Sequence, residues 1–149
     1  MKVLVTGGAG FIGTNFVQRT RLTRPDWKLT VLDALTYAGS LDNLAPVADE
    51  IEFVHGNIAD ADLVDRLVAD ADVIVHFAAE SHNDSSLDNP WPFMESNIIG
   101  TYQLLEAVRR HHVRLHHIDR RGRHRPRRSR CGAGAPGACG LPRAAGRCR

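Results

Sequence analysis

The sequence predicts an α/β protein built on a doubly wound parallel sheet. Three observations support this prediction. A short apolar run near the N-terminus leads directly into a glycine-rich turn, an acid follows the second apolar run, and apolar runs alternate with helical patterns along the chain. Strands that alternate with helices form parallel βαβ units with right-handed crossovers, so we expect a Rossmann-type sheet that ends after about five strands.

The first strand and the turn after it occupy residues 2–13, KVLVTGGAGFIG, and residues 3–5 are typical of a strand buried on both faces. Glycines at Gly7, Gly10 and Gly13 let the chain turn tightly and let a pyrophosphate approach bare backbone N–H groups. This spacing is close to the dinucleotide fingerprint, and Asp33 supplies the acid expected about 20 residues further on. The turn therefore predicts a nucleotide site, with a packing turn in a buried strand–helix unit as the alternative.

The next elements follow from periodicity and turn residues. Residues 11–22 carry apolar positions at helical spacing, and Pro25 marks the end of this helix. KLTVLD at 28–33 is a second strand, and LTYAGSLDNL at 35–44 indicates a loop and a short helix. IEFVH at 51–55 alternates as a third strand. Residues 59–69 have one apolar face, and Asp60 is a candidate cap for this helix.

Three further elements complete the predicted sheet. DVIVHF at 72–77 is a fourth buried strand. Pro90 and Pro92 open a long helix with apolar residues at 93, 98, 102, 105 and 108. VRLHHI at 113–118 begins a fifth strand.

Polar or small residues stand at the predicted carboxyl ends of the strands, where ligands bind in sheets of this kind. They are the glycine turn, Asp33, Asn57 and residues 78–81. A carboxylate at Asp33 accepts hydrogen bonds from both ribose hydroxyls and repels a 2′-phosphate, so it favours NAD over NADP. The alternative for Asp33 is a solvated loop acid.

The net charge of +2 is the sum of two unlike parts. Residues 1–118 hold 9 Lys or Arg and 16 Asp or Glu, whereas residues 119–149 hold 10 Arg and one acid, Asp119. We therefore predict a partial NAD-binding domain over 1–118 and a separate tail over 119–149. No signal peptide or apolar run of membrane-spanning length is apparent, so we expect a cytoplasmic protein with no membrane partner.

Three motifs carry a family resemblance: VTGGAGFIG, LTYAGSLDNL and HFAAESHNDSSLDNPWPFMESNIIGTYQLLEAVR. Over residues 1–118 the chain resembles the extended short-chain dehydrogenase/reductases, and among them the dTDP-glucose 4,6-dehydratases. The resemblance implies a lyase of deoxysugar biosynthesis that converts dTDP-glucose to dTDP-4-keto-6-deoxyglucose with NAD. In that reaction NAD takes a hydride from C4, water leaves across C5–C6, and the hydride returns to C6. It also implies a homodimer, which we expect this short chain not to retain.

The resemblance extends to the site residues. Ser81 and His82 would face the sugar nucleotide, the amide of Asn57 would reach the adenine, and Ser96 would keep the hydroxyl of the family's usual threonine. The residues implied to bind NAD are Gly7, Gly10, Phe11, Ile12, Gly13, Asp33, Ala34, Leu35, Thr36, Asn57, Ile58, Phe77, Ala78, Ala79, Glu80, Ser81 and Ser96.

The family's chemistry needs a Tyr-x-x-x-Lys pair, in which the lysine lowers the tyrosine pKa, and a Ser-Thr-Asp-Glu-Val segment after the fifth strand. Here the last tyrosine is Tyr102 and the last lysine is Lys28, so no such pair exists in this chain. After Ile118 the chain reads DRRG. No catalytic residue is assigned, and we expect a fragment without turnover.

The tail is rich in Arg, Gly, Ala, Pro and Cys, which GC-rich codons yield when read in a wrong frame. We hypothesise a frameshift near codon 119 and a disordered tail. The alternative is a polyanion-binding segment at 120–130, without specificity for a nucleic acid because it lacks stacking aromatics. Cysteines at 131, 139 and 148 fit no zinc pattern, and the histidines at 111, 112, 116 and 117 are assigned structural roles, so no metal site is predicted.

Overall fold

A five-stranded parallel sheet forms the centre of the molecule. The computed structural model describes residues 1–81 and 89–118, so His82 and the predicted tail lie outside the described part. Within it the strands lie side by side in the order β3-β2-β1-β4-β5, all parallel. The strands are β1 (Lys2–Thr6), β2 (Lys28–Asp33), β3 (Glu52–His55), β4 (Val73–His76) and β5 (Arg114–His117). The predicted doubly wound sheet is confirmed.

Helical segments cover both faces of this sheet. They are α1 (Phe11–Thr23), a 3₁₀ helix (Leu41–Glu50), α2 (Ala61–Ala69), α3 (Trp91–Phe93), a π-helix (Met94–Gly100) and α4 (Thr101–His111). The helix α1 packs beside the 3₁₀ helix, and α2 packs beside α4. No helix among the described residues has a stretch that is long and apolar enough to cross a membrane.

The central strand β1 divides its side chains between two cores. Val5 packs with Val17 of α1 and Leu44 of the 3₁₀ helix. Leu4 points to the other face and packs with Val64 of α2. All five side chains are at most 2% exposed, and each such burial contributes about 1.5–3 kcal/mol to folding. The uninterrupted apolar run at 3–5 is explained by this burial on both faces.

The loop and short helix predicted within 35–44 are both present, but the helix is longer than predicted. It begins at Leu41 and continues to Glu50, with Ser40 as its N-cap accepting a hydrogen bond from the Asp42 N–H at 3.2 Å. The preceding residues form a turn in which the Gly39 N–H donates to the Thr36 carbonyl at 3.0 Å.

Asp60 caps α2 as predicted, because its Oδ1 accepts a hydrogen bond from the Leu63 N–H at 3.0 Å. The helix begins at Ala61, two residues later than predicted. The side chain of Asn57 accepts a hydrogen bond from the Ala59 N–H at 2.9 Å, which holds Ala59 in the preceding turn.

The long helix predicted after Pro90 is continuous but changes type. The helix passes from α to π and back to α between Trp91 and His111. Leu104 and Ala107 are its most buried apolar residues. The apolar positions predicted at 98, 102 and 105 are instead exposed, and with Met94 they make one stripe at helical spacing. Periodicity identified this helix without showing which of its faces meets the sheet.

Candidate functional site

A cleft opens at the carboxyl ends of the central strands. It consists of two adjoining pockets with volumes of about 90 Å³ and 580 Å³. The larger volume lies within the range of small-molecule sites. The residues common to both pockets are Gly7, Gly10, Ala38, Phe77, Ala78, Ala79 and Glu80. The cleft therefore lies where a ligand is expected in a doubly wound sheet.

Packing within the protein itself requires two glycines of the turn. Gly7 has φ of +70°, the left-handed region that favours glycine, and a Cβ there would lie 2.5 Å from the Ala78 nitrogen. A Cβ on Gly13 would lie 2.2 Å from the Gly7 carbonyl oxygen. These glycines bring β1, α1 and the end of β4 together, so they would be needed even without a ligand.

Gly10 differs from the other two glycines. Its φ of −77° and ψ of 171° describe extended backbone that any residue adopts. The nearest atom to a Cβ built on Gly10 is the Gly7 carbonyl oxygen at 3.4 Å, an ordinary contact distance. Gly10 lines both pockets. Its missing side chain therefore leaves space in the cleft that packing of the protein does not require.

Asp33 stands at the end of β2 with its carboxylate already oriented. It is 9% exposed, its Oδ2 accepts a hydrogen bond from the Ala9 N–H at 2.8 Å, and its Oδ1 accepts one from the Leu35 N–H at 2.9 Å. A Cβ on Gly39 would come within 2.9 Å of Oδ1. Each carboxylate oxygen keeps lone-pair capacity for a ligand hydroxyl. The alternative of a solvated loop acid does not describe this buried, hydrogen-bonded group.

The end of β3 supplies Asn57 and Ile58 to the smaller pocket. Ile58 is buried and packs in the core beneath α2 and α4. A Cβ on Gly100 would lie 2.4 Å from Ile58 Cγ1, so the glycine allows the last turn of the π-helix to approach this side chain. These contacts fix the floor of the pocket beside Asn57.

Asn97 holds the loop that follows β4. Its Nδ2 donates a hydrogen bond to the Glu80 carbonyl at 2.9 Å, and its Oδ1 accepts one from the Glu80 N–H at 2.8 Å. Asn97 lies in the π-helix next to Ser96, which lines the smaller pocket. π-Helical turns inside α-helices are frequent at functional sites. Sequence reasoning missed Asn97, although it falls inside the motif SNIIGT.

His76 lies behind the larger pocket in a buried polar cluster. Its Nδ1 is 2.6 Å from Thr6 Oγ1, its Nε2 is 3.3 Å from Thr101 Oγ1, and its ring centroid is 5.0 Å from that of His117. Burial, aided by the nearby His117, lowers the pKa of His76 from 6.5 to about 4. His76 is therefore neutral near pH 7 and serves as a structural hydrogen-bonding group.

The other histidines occupy strand and helix-end positions. His111 Nε2 lies 3.0 Å from Asp65 Oδ1, and His112 ends α4 with φ of +55°. His116 and His117 are neighbours on β5. In residues 1–81 and 89–118, no three His, Cys, Asp or Glu side chains are grouped so as to hold a metal ion.

Tyrosine and lysine are separated in this fold. Lys2 and Lys28 face each other in the register of β1 and β2, at the amino ends of the strands and opposite the cleft. Tyr37 lies near Glu80 and Ser81, and burial, followed by its hydrogen bond to Glu80, raises the pKa of the Tyr37 phenol. A raised pKa leaves less of the Tyr37 phenolate at neutral pH, the reverse of what a catalytic tyrosine base requires.

The described residues predicted to bind NAD line the cleft, with one exception. Leu35 lines neither pocket, because its side chain packs against the core on the α1 face and only its backbone N–H contacts Asp33. Contact of Leu35 with the cofactor stays a prediction, which only its backbone could fulfil in this arrangement. For the other residues, contact with NAD remains a prediction. Lining residues that sequence reasoning did not assign are Leu32, Ala38, Gly39, Gly56, Asn97, Thr101, His117 and Ile118.

Known proteins share this sequence and fold. A dTDP-glucose 4,6-dehydratase from Mycobacterium tuberculosis (strain ATCC 25618 / H37Rv) is 64% identical over 119 residues, which are 80% of this chain and 36% of the relative. The crystal structure of the Bacillus anthracis enzyme of that name in complex with NAD is 40% identical, with a TM-score of 0.69 over 78% of this chain and 36% of that one. DesIV, a dTDP-glucose 4,6-dehydratase from Streptomyces venezuelae with NAD and TYD bound, is 49% identical with a TM-score of 0.69, covering 76% of this chain and 37% of that one.

The chain thus spans about 36% of the length of the curated relatives it matches. The profile of the NAD dependent epimerase/dehydratase family matches residues 3–119, which include the whole described sheet except Lys2, the first residue of β1. On this match, the glycine-rich turn and the parallel sheet, the chain belongs to the NAD dependent epimerase/dehydratase family.

Proposed function

We propose that residues 1–118 bind NAD and that this chain does not turn over dTDP-glucose by the route of the related dehydratases. The pyrophosphate lies over the glycine turn, and the adenosine half occupies the smaller pocket at Asp33. The nicotinamide half occupies the larger pocket along residues 77–81.

Gly10 is the observation that carries the proposal. Packing of the protein itself requires Gly7 and Gly13 to be glycines, whereas a Cβ built on Gly10 would have no neighbouring atom closer than 3.4 Å. A glycine that packing does not need, in a cleft with backbone N–H groups at a helix N-terminus, suits a phosphate that approaches the backbone. The buried Asp33 carboxylate beside it matches the ribose acid of dinucleotide sites.

The absence of turnover follows from where tyrosine and lysine lie. Abstraction of the sugar 4-hydroxyl proton needs a base with a lowered pKa, but burial and Glu80 raise the pKa of Tyr37. A β2 strand of six residues separates Lys28 from the cleft, a distance of roughly 17 Å at 3.3 Å per residue. Lys28 is therefore too far away to tune a tyrosine in the cleft.

The substrate side of the proposal comes from the relatives. Their names specify dTDP-glucose, so a dTDP-sugar is the ligand to test. Its proposed contact is Ser81, which lines the larger pocket. The cytoplasm remains the predicted location. Polyanion binding by the tail remains the alternative, and it concerns residues outside the described part.

The test is a calorimetric titration of the full 149-residue chain with NAD, paired with an assay for conversion of dTDP-glucose to the 4-keto sugar. We expect saturable NAD binding without conversion. Gly10→Ala should weaken NAD binding at least tenfold while the unfolding midpoint stays unchanged, because the added methyl group occupies only cleft space. A folded wild-type chain that gives no heat with NAD, or equal affinity in the Gly10→Ala variant, would overturn the NAD proposal. Formation of the 4-keto product would overturn the proposed lack of turnover.

A further inference from the structure

The order of the strands indicates where each part of a dinucleotide lies. Outward from the centre of the sheet come β1 with the glycine turn, β2 with Asp33 and β3 with Asn57. If the pyrophosphate is at β1 and the ribose is at Asp33, the base attached to that ribose extends to the end of β3. There the apolar side chains of Leu32 and Ile58 line the smaller pocket beside the Asn57 amide.

The orientation of the Asn57 amide is fixed by its neighbour. Its oxygen lies 2.9 Å from the Ala59 N–H, and since a backbone N–H only donates, this atom must be the carbonyl oxygen. The Nδ2 group has no hydrogen-bond partner among the described residues, and Asn57 lines the pocket. Asn57 therefore offers a hydrogen-bond donor to whatever occupies the base end of the pocket.

We infer that Asn57 reads the purine base as a donor, so that this site discriminates little against a 6-oxopurine dinucleotide. Adenine carries an amino group at C6, which donates, whereas hypoxanthine carries a carbonyl oxygen there, which accepts. The Asn57 Nδ2 group pairs with the 6-oxo group directly. To accept from the adenine amino group, the amide must use the second lone pair of the oxygen that already accepts from the Ala59 N–H. The inference rests on the proposed dinucleotide site and adds its base preference.

The matched variant is Asn57→Asp. A carboxylate keeps an acceptor for the Ala59 N–H and replaces the free donor by a second acceptor, which suits the adenine amino group and opposes the 6-oxo group. The measurement is the dissociation constant of NAD and of nicotinamide hypoxanthine dinucleotide for the full-length chain and the variant. The ratio of the two constants cancels the general effect of the added negative charge on binding of the phosphates.

We expect the ratio of the hypoxanthine constant to the adenine constant to be about tenfold higher in Asn57→Asp than in the wild type. Asn57→Ala removes the donor without adding a charge and should raise the ratio by a smaller factor. Asn15→Asp adds the same charge on the exposed surface of α1, outside both pockets, and should leave the ratio unchanged.

Equal ratios in the wild type and both Asn57 variants, with NAD still bound, would overturn the role of Asn57 and leave the dinucleotide site standing. If the folded wild type bound neither dinucleotide, the dinucleotide site and the base preference would both be overturned. Circular dichroism of each variant shows whether it is folded, and Asn57→Ala preserves the test if Asn57→Asp does not fold.

Discussion

The Oδ2 atom of Asp33 accepts a hydrogen bond from the Ala9 N–H at 2.8 Å, which ties the end of β2 to the glycine-rich turn. Ala9 is fully buried and the Asp33 side chain is nearly so. The second carboxylate oxygen accepts from the Leu35 N–H. The acid that is expected to hold a ribose is thus also a structural support of the turn that is expected to hold the pyrophosphate. Cofactor affinity and stability are coupled through one side chain.

Replacement of this carboxylate by an amide tests the coupling. Asp33→Asn puts an NH₂ group against one of two backbone donors and leaves that N–H unpaired in a buried site. We expect a loss of about 1–3 kcal/mol in the free energy of unfolding, together with weaker NAD binding. Urea denaturation and calorimetric titration measure the two effects. Asp26→Asn makes the same chemical change at an exposed position and should alter neither the free energy of unfolding nor NAD binding. An unchanged free energy of unfolding in Asp33→Asn would contradict the structural role of this carboxylate.

The glycines of the turn should separate into two kinds on substitution. Gly13→Ala places a Cβ 2.2 Å from the Gly7 carbonyl oxygen, and this backbone contact is relieved only if α1 shifts. We expect the free energy of unfolding to fall by about 1–3 kcal/mol or more. The matched change Gly10→Ala should leave the unfolding midpoint within error. Equal loss of stability in the two variants would show that Gly10 is also held by packing.

Stability should fall in acid because of His76. The pKa of His76 is about 4 in the folded protein, below the ordinary value of 6.5. Between these two pH values His76 is therefore protonated in the unfolded chain and neutral in the folded protein. The stabilisation by neutral His76 is complete above pH 6.5 and is lost as the pH falls towards 4. At 1.36 kcal/mol per pKa unit the loss amounts to about 3 kcal/mol.

The measurement is the urea midpoint of the wild type at a series of pH values between 7.5 and 4. His76→Asn cannot be protonated in this range, so its midpoint should depend less on pH, although the variant is less stable at pH 7. His116→Gln, at an exposed position of β5, should keep the wild-type slope. An unchanged slope in His76→Asn would assign the acid sensitivity to other groups.

The paired hydrogen bonds of Asn97 should keep the loop after β4 in place. In Asn97→Asp the carboxylate still accepts from the Glu80 N–H but repels the Glu80 carbonyl oxygen. We expect exchange of the Glu80 amide hydrogen to become about tenfold faster and NAD binding to weaken, because Glu80 lines both pockets. Mass-spectrometric hydrogen exchange measures the effect on peptides that cover residues 77–81. Asn89→Ala, which removes an exposed side chain that accepts from the Trp91 N–H, should leave these peptides unchanged.

The sequence anticipated the sheet because its strands are short apolar runs that only a two-sided core accommodates. The run at 28–33 is the clearest case, since predicted and observed bounds of β2 coincide. The short helix predicted within 35–44 continues to Glu50, because Val47 packs in the same core as Leu44. The exposed stripe on the long helix was taken as part of its apolar pattern, because spacing does not reveal which face packs.

Local chemistry alone identified the glycine turn, Asp33, the cap at Asp60 and the parallel strands expected of βαβ units. These features could be predicted because each depends on the residue types present and on their spacing along the chain. Only the tertiary structure showed that Leu35 packs against the core and that Asn97 hydrogen-bonds both backbone groups of Glu80. It also showed that packing of the protein does not require Gly10 to be a glycine. It also brought Thr6, His76 and Thr101 into one buried cluster. Those relationships join residues that are far apart in sequence, so they exist only once the sheet and helices have packed.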